Sequence, residues 1–418
     1  MAYNATSTQF SPTGCHVMAK PTGSKCNIDC QYCFYLEKDQ LYPERANNDF
    51  MSEETLRIYI EQHIEAQHGN EVVFAWQGGE PTLRGIDFYQ RAVEWQQQYC
   101  NGKKIINTFQ TNGLLINDEW CAFFKANQFL IGISIDGPAE FHDKYRVTRS
   151  GKPTHHRVIK AIEKLKRHGI EFNTLTVIND INVHHPLELY HYLKSIGSQH
   201  IQFLPAVEQA ATQTTDDGLT LLYPGRQEAV TLCNWSVKPE DYGRFLVTIF
   251  HHWVRHDIGH VWIQMFENTF AMTCEQPAQM CIFAKHCGSA FALESNGDIY
   301  QCDHYVYPEY KHGNIHHDRL IDINHGNENK VFAQHKSQSL SQDCRQCEHL
   351  TLCHGGCPKQ RFSLSSANKP EQHYLCAAYK SYYSYSKPYM QLMKKLLLKG
   401  HPPAAIMTIV AKKEAQLR

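Results

Sequence analysis

Short apolar stretches of strand length recur through the first half of the chain and alternate with longer amphipathic ones. The apolar stretches occupy residues 16–20, 72–76, 105–110, 130–135, 172–178 and 201–204. Helix-like segments lie at 87–99, 118–127, 155–168 and 186–196, and an earlier one opens at Ser52 with acidic residues in its first turn. This alternation predicts parallel βαβ units. Six units over about 200 residues favour an α/β fold with a partial, TIM-like (β/α)6 barrel, whose sites lie at the carboxyl ends of the strands.

The pattern changes in the second half of the chain. Its periodicity fades over residues 206–238, and an amphipathic helix is predicted at 241–257. From residue 281 the sequence is rich in turns and cysteine, which is typical of a small domain stabilised by metal. One or two further helices are expected from residue 382. We therefore predict a barrel at 1–238, a connecting helical segment at 239–280, a cysteine-rich domain at 281–380 and a helical tail at 381–418.

Composition narrows the class of protein. Of the 418 residues, 42% are hydrophobic and 20% are charged, which allows a large core and excludes wholesale disorder. The formal net charge of −1 argues against nucleic acid or a membrane surface as a partner. No signal-peptide pattern and no apolar run of roughly 18 residues is present, so a cytoplasmic location is expected. There, the 16 cysteines indicate metal ligation rather than disulfides.

Three cysteines follow the first predicted strand. Cys26, Cys30 and Cys33 have the spacing C-x3-C-x2-C. Three thiolates from one tight loop can hold three corners of a 4Fe-4S cluster and leave the fourth iron open for a ligand. The alternative is a structural zinc site that takes a fourth ligand such as His16.

With Tyr32 before its last cysteine, this loop resembles the signature of radical S-adenosylmethionine (SAM) enzymes. The resemblance implies that SAM chelates the open iron and is cleaved to methionine and a 5′-deoxyadenosyl radical. The difficult chemistry then belongs to the cofactor, and the protein aims it.

Other segments agree with this resemblance. Two glycines after the second long strand, Gly78 and Gly79, allow close approach to the backbone, and Glu80 follows them. Alone, this segment would be interpreted as a tight turn, but in the radical SAM family the GGEP motif meets the methionine amino group. By the same resemblance the remaining SAM contacts are Tyr32, Ser134, Arg146 and Val207.

A second group of cysteines fills the last third of the chain. Its eight members are Cys281, Cys287, Cys302, Cys344, Cys347, Cys353, Cys357 and Cys376. Eight thiolates can ligate two 4Fe-4S clusters or two zinc ions, and spacing alone leaves both open. The layout resembles the SPASM domain of radical SAM enzymes that modify peptides and proteins. The resemblance implies that Cys281, Cys287, Cys302 and Cys357 hold one auxiliary cluster and that Cys344, Cys347, Cys353 and Cys376 hold the other.

Asp303 directly follows Cys302, in the segment QCD. A carboxylate tethered there can take a proton from a substrate, although aspartate is also common as a cap in turns. In the anaerobic sulfatase-maturating enzymes an aspartate at this position is proposed as the catalytic base. The segments CNIDCQYCFYLEK, QCD and DGP with its downstream HDKYR resemble that sub-family closely.

The resemblance implies an oxidoreductase that converts a Cys or Ser in a sulfatase segment of C/S-x-P-x-R type to Cα-formylglycine. Its cofactors would be three 4Fe-4S clusters and SAM, and an electron donor such as flavodoxin or ferredoxin would supply reducing equivalents. Two alternatives stay open. One is a SPASM maturase that crosslinks or epimerises another peptide, and the other is a non-catalytic, zinc-stapled binding protein.

Overall fold

A ten-stranded sheet runs through the computed structural model, which describes residues 14–42, 50–212, 221, 230–288 and 290–416. In chain order the strands are β1 (His16–Ala19), β2 (Asp29–Cys30), β3 (Glu71–Trp76), β4 (Lys104–Thr111), β5 (Leu130–Ser134), β6 (Arg146–Val147), β7 (Phe172–Ile178), β8 (His200–Pro205), β9 (Gln209–Ala211), β10 (Val230–Leu232), β11 (Trp262–Ile263), β12 (Ala290–Leu293), β13 (Asp298–Tyr300), β14 (Lys311–Asn314), β15 (Ser363–Leu364) and β16 (Pro370–Gln372). The order of strands in the ten-stranded sheet is β11-β8-β7-β5-β4-β3-β1-β12-β13-β14.

Helices cover the sheet and form much of the second half. They are α1 (Glu53–Glu65), α2 (Ile86–Tyr99), α3 (Asp118–Ala126), α4 (Ala139–Tyr145), α5 (His155–Arg167), α6 (Pro186–Ser195), α7 (Pro239–His256), α8 (Gln264–Thr273), α9 (Leu320–His325), α10 (Asn327–Gln338), α11 (Gln342–Arg345), α12 (Leu350–Cys353), α13 (Cys376–Leu398) and α14 (Ile406–Gln416). Within the described ranges, none of the helices has an apolar stretch long enough to cross a bilayer.

The six predicted strands are present as β1, β3, β4, β5, β7 and β8, and neighbours among them pair in parallel. Alternate side chains of each strand point into the core, so Val72, Phe74 and Trp76 of β3 are buried. Ser52 caps α1 as expected, because its Oγ accepts a hydrogen bond from the backbone N–H of Thr55 at 3.0 Å. The carboxyl ends of these strands therefore gather on one side of the sheet.

The sheet continues beyond the six strands on both sides. The strand β12 pairs in parallel with β1, with His16 opposite Ala290, and β13 and β14 add antiparallel strands. On the other side, β11 pairs in parallel with β8. The boundary placed at residue 281 therefore does not separate two sheets, because the cysteine-rich segment contributes strands next to β1.

The tail docks on the connecting segment. Its long helix α13 begins at Cys376, earlier than the sequence pattern indicates, and it packs along α7, with the rings of Phe250 and Tyr382 5.8 Å apart. Part of the loop predicted at 206–238, namely residues 213–220 and 222–229, lies outside the described residues. The division of the chain at residues 238, 280 and 380 stays a prediction.

Candidate active site

The loop after β1 brings three thiols together. Cys30 lies in β2, which pairs with β6 so that Cys30 faces Arg146, and the backbone N–H of Cys33 donates to the carbonyl of Cys30 at 2.9 Å. Burial raises the pKa of Cys26 to about 11, and the negative charge of the Cys33 thiolate adds to the effect. A donor set that ionises readily only when a cation balances it fits an iron–sulfur cluster.

The alternative fourth ligand for zinc does not join this loop. His16 is the first residue of β1, whereas Cys26, Cys30 and Cys33 follow the last residue of that strand. A strand rises about 3.3 Å per residue, so the imidazole and the three thiols lie at opposite ends of β1.

Tyr32, in the same loop, forms two buried side-chain hydrogen bonds. Its hydroxyl donates to the Asp136 carboxylate and accepts a hydrogen bond from Nη1 of Arg146 at 2.8 Å. All three side chains are buried. The Nε of Arg146 has no hydrogen-bond partner among the described residues, so one donor of this guanidinium is free for a further acceptor. Arg146 and Tyr32 thus meet beside the cysteine loop, with Arg146 opposite Cys30.

The segment from Gly78 to Glu80 packs against the cysteine loop itself. A methyl group on Gly79 would lie 2.0 Å from the carbonyl oxygen of Lys25, and the N–H of Gly79 donates to the Gly23 carbonyl at 2.8 Å. The two-glycine pattern predicts that the space at this glycine accommodates a ligand. Instead the chain's own backbone, one residue before Cys26, fills it.

The Glu80 carboxylate ties this turn to the next strand. It accepts hydrogen bonds from the Thr82 N–H at 3.0 Å, the Thr111 hydroxyl at 2.7 Å and the Asn112 N–H at 2.8 Å. Burial raises the pKa of Glu80, and these hydrogen bonds oppose that rise. Glu80 therefore joins the ends of β3 and β4 beside the cysteine loop.

Two further predicted contacts follow strands of the same edge. Ser134 ends β5, and its hydroxyl accepts a hydrogen bond from Nε2 of Gln110 at 3.0 Å. Val207 lies two residues beyond β8 and is buried. Both residues are on the side of the sheet that carries the three cysteines, as the parallel topology requires.

Asp303 lies against the end of β1. Its carboxylate forms an ion pair with the ammonium of Lys20, whose side chain is 2% exposed, while the Asp303 side chain keeps 21% of its surface. Burial pushes the pKa of Asp303 upward, but the charges of Lys20, His304 and Lys38 outweigh it, so the pKa lies below its ordinary value. Asp303 is therefore an ionised carboxylate that keeps part of its surface exposed.

The thiols of Cys281, Cys287, Cys302 and Cys357 lie within range of one another's charge. Burial raises the pKa of Cys287 to about 12, and neighbouring thiolates add to the rise. The ammonium of Lys336 lies close by and donates to the carbonyl of Cys281 at 2.7 Å. This is the same set of four that the SPASM resemblance groups together.

The thiols of Cys344, Cys347, Cys353 and Cys376 line one cavity. Ser341 caps the short helix that carries Cys344, and Cys376 begins α13. Burial raises the pKa of Cys353 to about 12, with contributions from the other thiols. Four thiols around one enclosed space are a suitable donor set for a fully ligated 4Fe-4S cluster. Within the part of the chain that the structure describes, no three His, Cys, Asp or Glu side chains are placed as ligands of a single metal ion.

Comparison with known proteins identifies a family match for each of two segments of the chain. A model of the radical SAM superfamily matches residues 21–193, and a model of SPASM, an iron–sulfur cluster-binding domain, matches residues 281–348. The serine-type anaerobic sulfatase-maturating enzyme of Bacteroides thetaiotaomicron is 44% identical over 392 residues, which are 94% of each chain. The chain belongs to the anaerobic sulfatase-maturating enzyme family.

Other members of this family extend the comparison. The cysteine-type anaerobic sulfatase-maturating enzyme of Clostridium perfringens is 31% identical, over 89% of this chain and 96% of that protein. A solved structure described as native anSMEcpe with bound AdoMet and Cp18Cys peptide superimposes with a TM-score of 0.79 at 29% identity, over 91% of this chain and 99% of that one. The predicted fold, a radical SAM barrel followed by a SPASM domain, is confirmed.

Sequence reasoning missed several charged residues that lie beside the candidate site. Lys20 and Asp136 give no local signal, because their partners, Asp303 and Tyr32, are distant in sequence. Lys359 and Glu208 form a second buried ion pair, 2.6 Å long, between the auxiliary segment and the end of β8. Buried charged residues are rare unless paired, so the apolar surroundings of Lys20 at the end of a strand are the one available hint.

Proposed function

We propose that this chain oxidises a Cys or Ser in the active-site segment of a sulfatase to Cα-formylglycine, using radical SAM chemistry. The observation that carries the proposal is the meeting of Asp303 with the end of β1, directly before the loop of Cys26, Cys30 and Cys33. A proton acceptor and a set of three thiols thus share the carboxyl edge of the barrel, where active sites of such folds lie. The 44% identity to the serine-type enzyme of Bacteroides thetaiotaomicron supports it.

The cofactors are three 4Fe-4S clusters and SAM. We assign one cluster to Cys26, Cys30 and Cys33, a second to Cys281, Cys287, Cys302 and Cys357, and a third to Cys344, Cys347, Cys353 and Cys376. When bound, the first cluster and SAM supply a radical able to remove a hydrogen atom from an unactivated carbon. The two others, each with four protein thiols, have no open iron position and suit electron transfer.

The side chains around the loop would bind and orient SAM. We assign this role to Tyr32, Gly78, Gly79, Glu80, Ser134, Arg146 and Val207. The free Nε donor of Arg146 suits a carboxylate, and the hydroxyl of Ser134 has capacity for one more hydrogen bond. Gly79 and Glu80 act at least partly by fixing the backbone beside Cys26, since their contacts within the chain do that.

Asp303 would be the base. Its carboxylate is ionised and partly exposed, so it can accept the thiol or hydroxyl proton of the client residue. The ion pair with Lys20 would fix the orientation of this carboxylate. Removal of a Cβ hydrogen atom, one proton and one further electron, for which an auxiliary cluster would be the acceptor, leaves a two-electron oxidised carbon. For a Ser client this product is the aldehyde, and for a Cys client the thioaldehyde would take up water and release hydrogen sulfide.

The remaining partners follow from this chemistry. A small one-electron carrier such as flavodoxin or ferredoxin would reduce the clusters, and a cytoplasmic location would keep the thiols and clusters reduced. The client is a polypeptide, so the substrate must reach Asp303 as an extended segment.

A peptide assay tests the proposal. The anoxically purified enzyme with SAM and a chemical reductant is incubated with a peptide that contains the C/S-x-P-x-R segment, in Cys, Ser and Ala versions. We expect a loss of mass and a hydrazide-reactive aldehyde with Cys or Ser and none with Ala. A crosslinked or epimerised product, or an unchanged mass with both reactive peptides, would contradict the proposal.

A further inference from the structure

A cavity of about 560 Å³ lies at the opposite end of the barrel from the cysteine loop. Its wall includes Asn173 near the start of β7, His200 at the start of β8 and Trp262 at the start of β11. The residues proposed to hold the first cluster and SAM lie instead toward the carboxyl ends of the parallel strands. The cavity is thus separate from the site already described, and its volume suits a small molecule or a side chain.

The polar lining of this cavity combines neutral amides with one acidic group. Five side-chain amides line it, from Asn173, Gln202, Gln264, Gln276 and Gln279, together with the carboxyl group of Glu267. No Lys or Arg is among the lining residues. Amide oxygens and a carboxylate together form a surface that favours a donor-rich cation.

Glu267 lacks a partner inside the protein. No hydrogen bond or ion pair reaches its carboxylate from the residues that the structure describes, and its side chain is half-buried in the first turn of α8. Burial raises the pKa of Glu267, as expected when no cation compensates for lost solvation. A half-buried acid without a partner costs free energy unless a ligand supplies the opposite charge.

Two aromatic rings line the same cavity as this carboxylate. The rings of His200 and Trp262 stack with their planes 9° apart and their centroids 4.8 Å apart. An indole face attracts a cation, and a planar guanidinium stacks on it more favourably than a compact ammonium does. Amide oxygens, an acid and a flat ring are the kinds of group that recognise a guanidinium, and His200 covers only one face of the indole.

We propose that this cavity is a binding site for a guanidinium group, with the Glu267 carboxylate as its counter-charge and the Trp262 ring as its stacking face. The guanidinium belongs either to an arginine side chain of a polypeptide or to a free small molecule. The site is independent of the radical chemistry at the other end of the barrel.

Isothermal titration of the intact, cluster-loaded enzyme tests the proposal. The probes are agmatine, the peptide acetyl-Gly-Arg-Gly-amide and the same peptide with neutral citrulline in place of arginine. We expect the arginine peptide to bind at least about tenfold more tightly than the citrulline peptide, and Glu267→Gln to remove at least that factor. The matched control is Glu275→Gln, because Glu275 is exposed and already paired with Lys394 at 2.7 Å, and the affinity of this variant should be unchanged.

Two comparisons complete the experiment. Agmatine binding more tightly than the arginine peptide identifies a small-molecule ligand, and the reverse order identifies a polypeptide. If Glu267→Gln fails to fold, as judged by its cluster absorption, Trp262→Leu serves as the second variant and should weaken binding in the same way. Equal binding of the arginine and citrulline peptides, unaltered affinity in either variant, or no binding of any probe overturns the proposal. None of these results bears on formylglycine formation, which is assayed separately.

Discussion

Lys20, the residue after β1, forms an ion pair with Asp303, which lies 283 positions later in the chain. The ammonium is enclosed, because it also lies 4.0 Å from the centre of the Tyr35 ring and 3.6 Å from the sulfur of Met18. The long, flexible side chain of Lys20 is thereby held in one place. The Asp303 carboxylate is held with it through the ion pair, so the proposed base is fixed with respect to the barrel edge.

Replacement of Lys20 by Met should therefore misplace Asp303. We expect formylglycine formation to fall by about tenfold to a hundredfold, because small displacements of a reacting group have effects of this size. Lys20→Arg should recover part of the rate, since it restores the charge. Product formation and 5′-deoxyadenosine release are both measured. A loss in both assays would mean that Lys20 acts on the cysteine loop rather than on Asp303.

Removal of the carboxylate itself should separate the two halves of the reaction. For Asp303→Asn we expect product to fall by about a hundredfold or more, the range of general base catalysis, while SAM cleavage continues. Asp322→Asn, an exposed position in α9, is the control and should retain wild-type turnover. Normal product formation by the Asp303→Asn variant would return Asp303 to the role of a turn cap.

Removal of the thiols of Cys26, Cys30 and Cys33 should eliminate one of the three 4Fe-4S clusters and leave the other two. A variant with Cys26, Cys30 and Cys33 replaced by Ala is expected to retain about two thirds of the iron, since the eight remaining thiols keep their partners. It should no longer cleave SAM. Iron and sulfide analysis and 5′-deoxyadenosine chromatography provide the readout, with Cys100→Ala as a control outside all three groups. Surviving SAM cleavage would refute the assignment of this loop.

A methyl group at Gly79 should disturb the same loop through the backbone. It would meet the Lys25 carbonyl at 2.0 Å, whereas a methyl group at Gly69 meets nothing within 4 Å. We expect Gly79→Ala to lower the free energy of unfolding by about 1–3 kcal/mol, as overpacking does, and to lose iron from the first site. Gly69→Ala should change neither. Anoxic urea unfolding and iron content check both variants.

His63 should make stability depend on pH. It is fully buried, its Nε2 donates to the Val73 carbonyl at 3.0 Å, and burial lowers its pKa to about 4. The unfolded chain, with a histidine pKa of about 6.5, binds a proton at pH values where the folded chain does not. The contribution of His63 to the free energy of unfolding is therefore complete above pH 6.5 and decreases as the pH falls toward 4. When the pH is lowered from 6.5 to 5.5, protonation of His63 in the unfolded chain should reduce the free energy of unfolding by about 1 kcal/mol.

The measurement compares unfolding free energies of the wild type and His63→Gln across that pH range. The variant lacks the titrating group, so its stability should fall less steeply on acidification by about that amount. Parallel slopes for the two proteins would show that the pKa of His63 is the same in the folded and unfolded states.

Local patterns predicted much of this molecule because their causes are local. The N-cap at Ser52 and the alternation of buried residues in β3 depend on neighbours in sequence, and the six strands were identified for that reason. The cysteine spacings likewise depend on short loops, so the grouping of thiols around one cavity could be anticipated from their resemblance to a known layout.

The missed features depend on distant contacts. Nothing near Lys20 indicates Asp303, and nothing near Tyr32 indicates Asp136. The sequence pattern at Gly79 predicts space for a ligand, because the approach of the Lys25 backbone is a property of the folded loop. The pattern also predicts a later start for α13, since Cys376 continues directly from a turn that local periodicity does not resolve.

The pairing of β1 between β3 and β12 has a consequence for biosynthesis. As the chain leaves the ribosome, one edge of β1 has no strand to pair with until residues 290–293 have emerged. At about 5–20 residues per second, that interval lasts on the order of tens of seconds. An exposed strand edge invites association with other chains, and the neighbouring thiols are accessible during the same period. Newly made protein should therefore depend on chaperones and on a reducing, oxygen-poor environment well before it becomes an enzyme.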